Sequence, residues 1–435
     1  MRARSRVSET AAPREKMILV EVELDGEFRG RQAHEEMLSL ISGAGGEVVG
    51  AATQHRSAPD ATSFVGRGKV EELGALAEQA GATSVVFDHN LSPGQVARIE
   101  EATGCKVLDR TELILAIFAL QARTREAMLQ IELAQLTYAL PRLSGMWHHL
   151  SRLGGGIGTR GPGETQLEVD RRRARSRIRI LQRQLERIDR EWHLRAGRRS
   201  EVFQVAMVGY TNSGKSTLMN ALCQSSVLVA DRPFATLDAT SRRLELPGSR
   251  GTVVLSDTVG FIERLPETLV ASFRTTLGVV READLLLVVS DCSSSDRLHR
   301  LEVVETTLER IGASAIPRMV VWNKADLLEE GTVLPAGGVE VSALTRAGLP
   351  ALLESIDMRW ARSLQWFELT AQDLPPRLEN WIRENCWVDE MERTTGGIRV
   401  SGGIRPGIGR LRARLESEGL GRYTLSASGE TGATR

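Results

Sequence analysis

The sequence predicts an α/β protein with several domains. From Met17 to Asp109, short apolar runs alternate with amphipathic segments, which is typical of parallel strands joined by crossover helices. A long helical pattern follows, with apolar residues at every third or fourth position. From Phe203 onward, strand-like runs end repeatedly in polar motifs. At 435 residues the chain also exceeds the length of one average core.

A small α/β domain is predicted for residues 17–110, after a disordered tail at residues 1–16. Its strands are expected at MILVEVEL, EVVGAA, SVVFD and KVLD, with helices near Gln32–Ser42, Lys69–Ala80 and Ser92–Ala102. Scattered histidines in this domain are interpreted as surface or structural residues and not as ligands. They are His34, His55 and His89.

A helical hairpin is predicted for residues 111–199. The first helix runs from Thr111 to Leu140, and Pro141 is expected to end it. The second helix runs from Glu164 to about Arg195. Each helix carries one apolar seam, so the two pack most simply as an antiparallel pair. The seam residues are Leu129, Leu133, Leu136 and Leu140 in the first helix, and Ile178, Leu181, Leu185, Ile188 and Trp192 in the second.

The tip of this hairpin has the sequence LGGGIGTRGPGETQ, at residues 153–166. It contains the spacing G-x-G-x-x-G, but a dinucleotide-binding fingerprint must follow a strand, and here a helix and a loop come first. The residues alone leave two alternatives open. The tip is a flexible connector beside a solvated basic helix, or its glycines and arginines contact RNA. The RNA contacts would then be Gly155, Gly156, Gly158, Arg171, Arg172 and Arg173.

Composition narrows the class of protein. The net charge is zero, yet residues 141–199 hold 15 arginines against 6 acidic residues, a pattern that fits a solvated face or a nucleic-acid footprint. Four cysteines lie far apart without a C-x-x-C pair, which argues against a zinc site or a disulfide framework. We interpret the first 16 residues as a disordered tail and not as a signal peptide, and the sequence has no apolar run long enough to span a bilayer. We therefore expect a cytoplasmic protein without membrane insertion.

The strongest motif lies at residues 209–216, where the strand-like run FQVAMV leads directly into GYTNSGKS. The pattern G-x-x-x-x-G-K-[ST] between a strand and a helix predicts a phosphate-binding P-loop. Gly209 and Gly214 let backbone N–H groups face the phosphates, Lys215 counters their charge, and Ser216 offers its hydroxyl to magnesium.

Further motifs follow in the order that a GTPase needs. DTVG, from Asp257 to Gly260, ends a strand and supplies a carboxylate for the magnesium shell and an N–H for the γ-phosphate. NKAD ends another strand, where Asp326 can accept two hydrogen bonds from guanine that adenine cannot offer. Thr236 lies between the first two motifs and could complete the magnesium coordination and close over the γ-phosphate.

These motifs predict a magnesium-dependent GTP hydrolase. The expected catalytic residues are Lys215, Thr236 and Gly260, and the expected metal ligands are Ser216 and Thr236. The expected nucleotide contacts are Gly209, Tyr210, Thr211, Asn212, Ser213, Gly214, Lys215, Ser216, Thr217, Phe234, Ala235, Thr236, Leu237, Asp238, Asp257, Thr258, Val259, Gly260, Asn323, Lys324, Ala325, Asp326, Ser342, Ala343 and Leu344. Phe261 stands where small Ras-like GTPases place a water-orienting glutamine, so we expect slow intrinsic hydrolysis that a partner stimulates.

The sequence resembles the HflX family of ribosome-associated GTPases in its segments GPGETQLEVDRRR, GYTNSGKSTLMNAL, FATLDAT, DTVGFIERLP and FRTTLGVVREADLLL. The resemblance covers about residues 17–356. It implies a cytoplasmic protein that binds the large ribosomal subunit, reaches toward the peptidyl-transferase region and splits stalled ribosomes in the GTP state. It also favours the RNA-contacting interpretation of the hairpin tip. Small departures, at Ala239 and at Val289–Asp291, do not affect a phosphate ligand.

The expected fold is therefore a P-loop GTPase domain with a mostly parallel sheet at residues 200–360, preceded by the small α/β domain and the hairpin. A small α+β appendage is expected at residues 361–425, with a disordered tail at residues 426–435. Tryptophans of the appendage are interpreted as core residues and not as a base-stacking platform. They are Trp366, Trp381 and Trp387.

The expected partner is the large ribosomal subunit, bound by a monomer that does not bind DNA. Two alternatives stay open: a GTPase of large-subunit assembly, and an RNA-binding remodeller whose N-terminal half uses ATP while the GTPase domain regulates it. No second P-loop pattern occurs outside residues 209–216, which argues against the remodeller.

Overall fold

A computed structural model describes residues 14–26, 33–146, 162–196, 202–223, 234, 240–247, 252–263, 278–329, 331–405, 407–420 and 422–427. The chain divides into two units. The N-terminal unit comprises residues 1–186, 230–238 and 262–275, and the second unit comprises the remainder. No helix in the described residues is both long and apolar enough to cross a membrane.

Four parallel strands form the sheet of the N-terminal unit, in the order β2-β1-β3-β4. The strands pair in parallel because each returns through a helix, as the alternating sequence pattern predicts. Their apolar side chains and those of the crossover helices form one buried core. The elements are β1 (Glu15–Leu24), α1 (Ala33–Gly43), β2 (Gly46–Arg56), α2 (Arg67–Ala80), β3 (Ser84–Phe87), α3 (Pro93–Thr103) and β4 (Lys106–Leu108).

Three helices follow: α4 (Arg110–Gln121), α5 (Arg125–Met146) and α6 (Pro162–Ala196). The prediction of one uninterrupted helix from Thr111 to Leu140 is wrong. The chain leaves helical geometry at Ala122, and Thr124 starts α5 by accepting the N–H of Ala127 on its hydroxyl at 3.2 Å. A threonine in the middle of an apolar helical pattern was the signal for this boundary.

The prediction that Pro141 ends the first hairpin helix is also wrong, because α5 continues to Met146. Proline has no N–H to donate within a helix, a loss of about 3 kcal/mol when nothing compensates it. Here the next residue, Arg142, is held by neighbouring elements: its guanidinium donates to the Asp109 carboxylate and to the Leu91 carbonyl, each at 2.7 Å. These tertiary contacts keep the helix in register across the proline.

Asp109 anchors the start of the hairpin to the sheet. Its side chain is fully buried, caps α4 through the N–H of Glu112 at 2.9 Å, and accepts the Tyr138 hydroxyl and the Arg142 guanidinium. Burial, with the nearby Asp109 charge, raises the pKa of Glu112 to about 7. Removing one partner of a buried ion pair such as Asp109–Arg142 typically destabilises a protein by about 3–5 kcal/mol. This pair therefore fixes α5 to α4.

Helices α5 and α6 are joined in the described residues by an ion pair, in which the Arg177 guanidinium of α6 makes two hydrogen bonds to the Glu132 carboxylate of α5, at 2.6 and 2.7 Å. Only Leu129 and Leu181 of the predicted seam residues are buried. The other seam side chains that the structure describes are partly exposed, because a two-helix layer leaves its flanks open to solvent.

Six strands form the central sheet of the second unit, in the order β10-β9-β8-β5-β7-β6. Only β6 is antiparallel to its neighbour, so the sheet is mostly parallel, as predicted. The elements are β5 (Phe203–Val208), α7 (Lys215–Leu222), β6 (Thr240–Glu245), β7 (Thr252–Asp257), α8 (Gly278–Arg281), β8 (Leu285–Asp291), α9 (Arg297–Arg310), β9 (Arg318–Asn323), β10 (Gly338–Glu340) and α10 (Leu349–Arg362).

The C-terminal residues form an antiparallel sheet, β12-β13-β11-β14, covered by two helices. Its last strand, β14, was not predicted from the sequence and extends to Ala427, within the segment expected to be a tail. Trp366 and Trp387 pack edge to face with ring centroids 4.7 Å apart. The elements are β11 (Gln365–Ala371), α11 (Pro376–Asn385), β12 (Cys386–Thr394), β13 (Gly397–Ile404), α12 (Ile408–Ser417) and β14 (Tyr423–Ala427).

Trp322 is the largest fully buried side chain in the described residues, and it lies on β9 directly before the NKAD motif. Gly338 on the paired strand β10 leaves room for its indole: a Cβ at this glycine would lie 2.3 Å from Trp322 Nε1 and 2.6 Å from Cδ1. The close approach of these two residues therefore requires glycine at position 338.

We predict that Gly338→Ala destabilises the protein by about 1–3 kcal/mol, because the added methyl group overpacks a site that cannot expand. Urea unfolding followed by tryptophan fluorescence measures this change. Gly409→Ala is the matched control, since a Cβ there meets nothing within 4 Å and the position is helical. Equal unfolding midpoints for the two variants would contradict the packing argument.

Candidate nucleotide-binding site

The predicted P-loop connects β5 to α7, and two of its glycines are required by close contacts. A Cβ at Gly209 would lie 2.1 Å from the Val289 carbonyl oxygen. A Cβ at Gly214 would lie 2.3 Å from Asn323 Nδ2, and this residue also has a left-handed φ of 87°. Both glycines allow the loop to curl at the ends of the parallel strands and to start α7 at Lys215.

Lys215 is buried within this loop. Its ammonium group donates to the carbonyls of Gly209 and Tyr210, at 3.1 and 2.9 Å. Burial lowers the pKa of Lys215 to about 8, and the neighbouring Asp257 carboxylate opposes that shift. An anion placed in the loop would favour the protonated form, so the site is suited to bind phosphate.

Ser216 and Asp257 place two oxygen atoms that could bind a metal close together. The serine hydroxyl donates a hydrogen bond to Asp257 Oδ2 at 2.7 Å. Hydroxyl and carboxylate oxygens are the donors that Mg²⁺ prefers, and this ion typically keeps several waters and takes one or two protein ligands besides phosphate. The pair therefore fits a magnesium ion. No cluster of three or more His, Cys, Asp or Glu that could hold a metal occurs in the described part of the chain.

The Asn323 side chain connects three of the predicted motifs. Its Nδ2 donates to the Ser213 carbonyl at 2.9 Å, and its Oδ1 accepts the N–H of Ala343 at 3.0 Å. Asn323 is 1% exposed, so both hydrogen bonds are shielded from water. The structure thus brings the P-loop, NKAD and Ser-Ala-Leu segments to one place.

Asp326 is exposed beyond this junction, and one oxygen of its carboxylate accepts the Ser342 hydroxyl at 2.5 Å. Ser342 Oγ in turn accepts the N–H of Thr345 at 3.0 Å, which orients the hydroxyl toward Asp326. Leu344, in the same loop, is 78% exposed. A carboxylate that is oriented by its neighbours and open to solvent can receive the paired donors of a ligand.

The DTVG segment lies against the P-loop. A Cβ at Gly260 would be 2.9 Å from Thr211 Cα and 3.1 Å from Lys215 Nζ, so only glycine fits there. The Phe261 backbone bridges the loop, donating to the Gly209 carbonyl at 2.9 Å and accepting from Thr211 at 2.7 Å. Its ring is 3% exposed. Thr258 is also buried and donates to the Met207 carbonyl at 2.7 Å.

The structure places Phe234 of the FATLDAT segment among residues of the N-terminal unit. Its ring packs edge to face against Phe118 of α4, with centroids 4.6 Å apart, and its φ is 58°. Several other predicted contact residues lie outside the described residues. They are Ala235, Thr236, Leu237 and Asp238 of the same segment, and Gly155, Gly156 and Gly158 of the hairpin tip.

Two residues at the end of β8 contact the NKAD motif, although the sequence analysis did not include them in the site. The Asp291 carboxylate pairs with Lys324 Nζ at 2.7 Å, and Cys292 donates to the Asn323 carbonyl. Their position was the available signal, since β8 lies beside β9 and the ends of adjacent parallel strands meet at one edge.

Comparisons with known proteins show what the chain is similar to. Family models described as GTP-binding GTPase N-terminal, GTP-binding GTPase Middle Region and 50S ribosome-binding GTPase match residues 31–119, 121–199 and 204–324. A crystal structure of a GTP-binding protein from Sulfolobus solfataricus in complex with GDP is 25% identical and covers 80% of this chain and 99% of its own, with a TM-score of 0.43.

Full-length relatives extend the similarity over most of the chain. GTPase HflX of Caldanaerobacter subterraneus is 43% identical over 399 residues, which are 91% of this chain and 92% of that protein. GTPase HflX of Escherichia coli is 45% identical over 352 residues, which are 79% of this chain and 82% of that protein. Identity at this level over nearly the whole length, together with a P-loop and a guanine-type motif joined at one sheet edge, shows that the chain belongs to the HflX family of GTPases.

Proposed function

We propose that the chain binds GTP with magnesium at these strand ends, hydrolyses it to GDP and phosphate, and uses the cycle to split or rescue stalled ribosomes through the large subunit. The observation that carries the nucleotide part is the Asn323 side chain, which joins the phosphate loop to the predicted guanine loop. The ribosomal part is supported by the family and by the charge of α6.

Lys215 has the central role in phosphate binding. Its ammonium group donates to two loop carbonyls and would move onto the β- and γ-phosphates of a bound nucleotide. The phosphate charge would favour the protonated form of the lysine, which burial disfavours. Gly260 would offer its N–H to the γ-phosphate, because the contacts that exclude a side chain there also bring its backbone close to Lys215. Thr236 would close over the same phosphate.

Ser216 would coordinate magnesium directly, with Asp257 holding the shell around it and Thr236 completing the coordination. When bound, the ion neutralises negative charge on the transferred phosphoryl group. Asp257 would keep the serine hydroxyl oriented, since it accepts that hydroxyl at 2.7 Å. The two side chains are thus positioned before any ligand arrives.

Asp326 would select guanine by accepting hydrogen bonds from its ring N–H and exocyclic amine. Ala343 and Leu344 would back the base, and Asn323 would keep this loop at a set distance from the phosphates. Adenine offers no such pair of donors, so its nucleotides would leave the Asp326 carboxylate incompletely paired.

We predict that Asp326→Asn shifts the preference of the protein from guanine toward xanthine nucleotides, because an amide donor replaces a carboxylate oxygen and xanthine has a carbonyl in place of the amine. Titration with labelled GDP and XDP measures both affinities, and we expect GDP binding to fall about tenfold or more. Unchanged GDP affinity would show that Asp326 does not read the base.

Hydrolysis by the free protein should be slow, because the Phe261 ring carries no hydrogen-bonding group that could orient water. Its ring is also buried and its backbone is engaged with the P-loop. A partner would therefore supply the missing group or geometry.

We predict that purified large ribosomal subunits raise the GTP hydrolysis rate about tenfold or more. The measurement is phosphate release under multiple turnover, with small subunits as the control partner. Equal turnover with and without large subunits would contradict the proposal and would direct attention to Glu263 or Arg264 as an internal catalytic group.

Sucrose-gradient sedimentation tests the ribosomal function itself. Whole ribosomes are mixed with the protein and a non-hydrolysable GTP analogue, and dissociation into subunits is expected. Co-migration only with immature large subunits would instead support a role in assembly.

Helix α6 presents the surface best suited to ribosomal RNA. Arg172, Arg175, Arg179 and Arg183 recur at spacings of three and four, so they share one face over about 17 Å, and all four are exposed. The opposite face carries Leu181, which is fully buried. We call these four arginines the basic face of α6.

The composition of this segment argues against an ordinary solvated face. Residues 171–185 contain seven arginines and no acidic residue. Arginines four positions apart on a helix repel each other, at a cost of a few tenths of a kcal/mol per pair, whereas solvated faces usually mix both signs. A polyanion such as RNA would remove that repulsion, with release of counterions. Gly155, Gly156 and Gly158, which precede this helix in the sequence, would allow close approach to RNA.

We predict that changing the four arginines of the basic face to Gln weakens binding to large subunits and lowers the slope of log K against log salt by about 3, since each lost phosphate contact removes about 0.7–0.9 from it. Binding is measured by co-sedimentation at several salt concentrations, together with GDP affinity.

Arg177→Gln is the matched control, because this arginine is engaged by Glu132 and lies toward the other hairpin helix. It should leave the salt slope unchanged. If the fourfold variant kept the wild-type slope while GDP affinity was normal, the basic face would not be the RNA contact.

A further inference from the structure

Lys324, in the NKAD motif, adopts a backbone conformation that residues other than glycine rarely take. Its φ is 65° and its ψ is 35°, in the left-handed region. Such a conformation persists only when surrounding contacts hold it, and it is found disproportionately at functional sites. The contacts that hold Lys324 therefore bear on the shape of the predicted guanine loop.

Asp291 provides the first of these contacts. Its Oδ2 pairs with Lys324 Nζ at 2.7 Å, and the two side chains are 12% and 26% exposed, so the pair is partly shielded from water. Its other oxygen accepts the N–H and the hydroxyl of Ser293, at 3.0 and 2.6 Å. With both oxygens engaged, the carboxylate has one orientation and fixes the position of the lysine ammonium group.

Cys292 provides the second contact, to the residue before the lysine. Its N–H and its thiol both donate to the Asn323 carbonyl oxygen, each at 2.9 Å, and the cysteine is fully buried. The peptide that joins Asn323 to Lys324 is therefore fixed at its carbonyl, while the lysine side chain is fixed at its tip. Two adjacent residues at the end of β8, Asp291 and Cys292, therefore hold two adjacent residues at the end of β9, Lys324 and Asn323.

We propose that Asp291 is a positioning residue for guanine recognition, which holds Lys324 so that Asp326 is preorganised to receive the base, and that the Cys292 thiol assists it through Asn323. This inference rests on the proposed role of Asp326. Without the ion pair, the loop would sample ordinary conformations at Lys324 and would have to be ordered again each time a nucleotide binds. The cost would appear as faster dissociation of nucleotide.

The test measures dissociation of ribose-labelled GDP from the full-length protein. We expect Asp291→Asn to increase the dissociation rate about fivefold to tenfold, since a shielded charge pair is lost, and to raise KM for GTP while kcat at saturating GTP stays near wild type. Glu302→Gln on α9 is the charge-matched control, because that carboxylate is 79% exposed. It should leave dissociation unchanged.

A double-mutant cycle separates positioning from a general structural effect. In a Lys324→Met background, Asp291→Asn should add no further increase in dissociation rate, because its partner is already absent. An equal increase in both backgrounds, or no increase in either, would overturn the proposal. Cys292→Ser, which keeps a donor to the Asn323 carbonyl, should stay nearer to wild type than Cys292→Ala, and the reverse order would remove Cys292 from it.

Asp326→Asn, measured alongside, distinguishes a failure of the positioning role of Asp291 from a failure of the base assignment of Asp326. If Asp326→Asn alters guanine preference while Asp291→Asn has no effect, the positioning role fails and the base assignment stands. If Asp326→Asn leaves preference unchanged, the base assignment itself fails.

Discussion

The amide side chain of Asn323 joins loops that belong to different parts of the sequence. It donates to the P-loop at Ser213 and accepts from Ala343, and it does so while almost fully buried. Both hydrogen bonds depend on neighbouring features: Gly214 must lack a Cβ, and the peptide of Asn323 must be held from β8. The relative position of the predicted phosphate and base contacts depends on this amide, because it forms hydrogen bonds with both loops.

A different constraint governs the N-terminal unit. There the buried Asp109 carboxylate gathers the cap of α4, the Tyr138 hydroxyl and the Arg142 guanidinium. Since a buried carboxylate is stable only when it is paired, these contacts fix the direction in which α5 leaves the sheet. The basic face of α6 is then presented by a helix that is itself tied to α5 through Arg177 and Glu132. The position of the basic face of α6 thus depends on the ion pairs that hold α5 and α6 in place.

Local sequence patterns were sufficient to predict most elements of the N-terminal sheet and of the central sheet. The P-loop, DTVG and NKAD were placed correctly at strand ends, because buried strands read as continuous apolar runs and glycine is needed where backbones approach closely. Patterns were less informative where tertiary contacts override local preference. Pro141 lies inside α5 since Arg142 is anchored elsewhere, and β14 was missed because its short, mixed run gains stability only by pairing with β11.

The sequence by itself determined the chemistry that we predict for this protein: a lysine and a serine after a glycine-rich turn, an aspartate predicted to read guanine, and a helix rich in arginine. Only the tertiary structure decided which residues support that chemistry. The pairing of Asp291 with Lys324 and the double contact of Cys292 with Asn323 join residues more than thirty positions apart in the chain. Motif spacing reports on neighbours along the chain, whereas these contacts arise because parallel β8 and β9 bring their carboxyl ends to one edge.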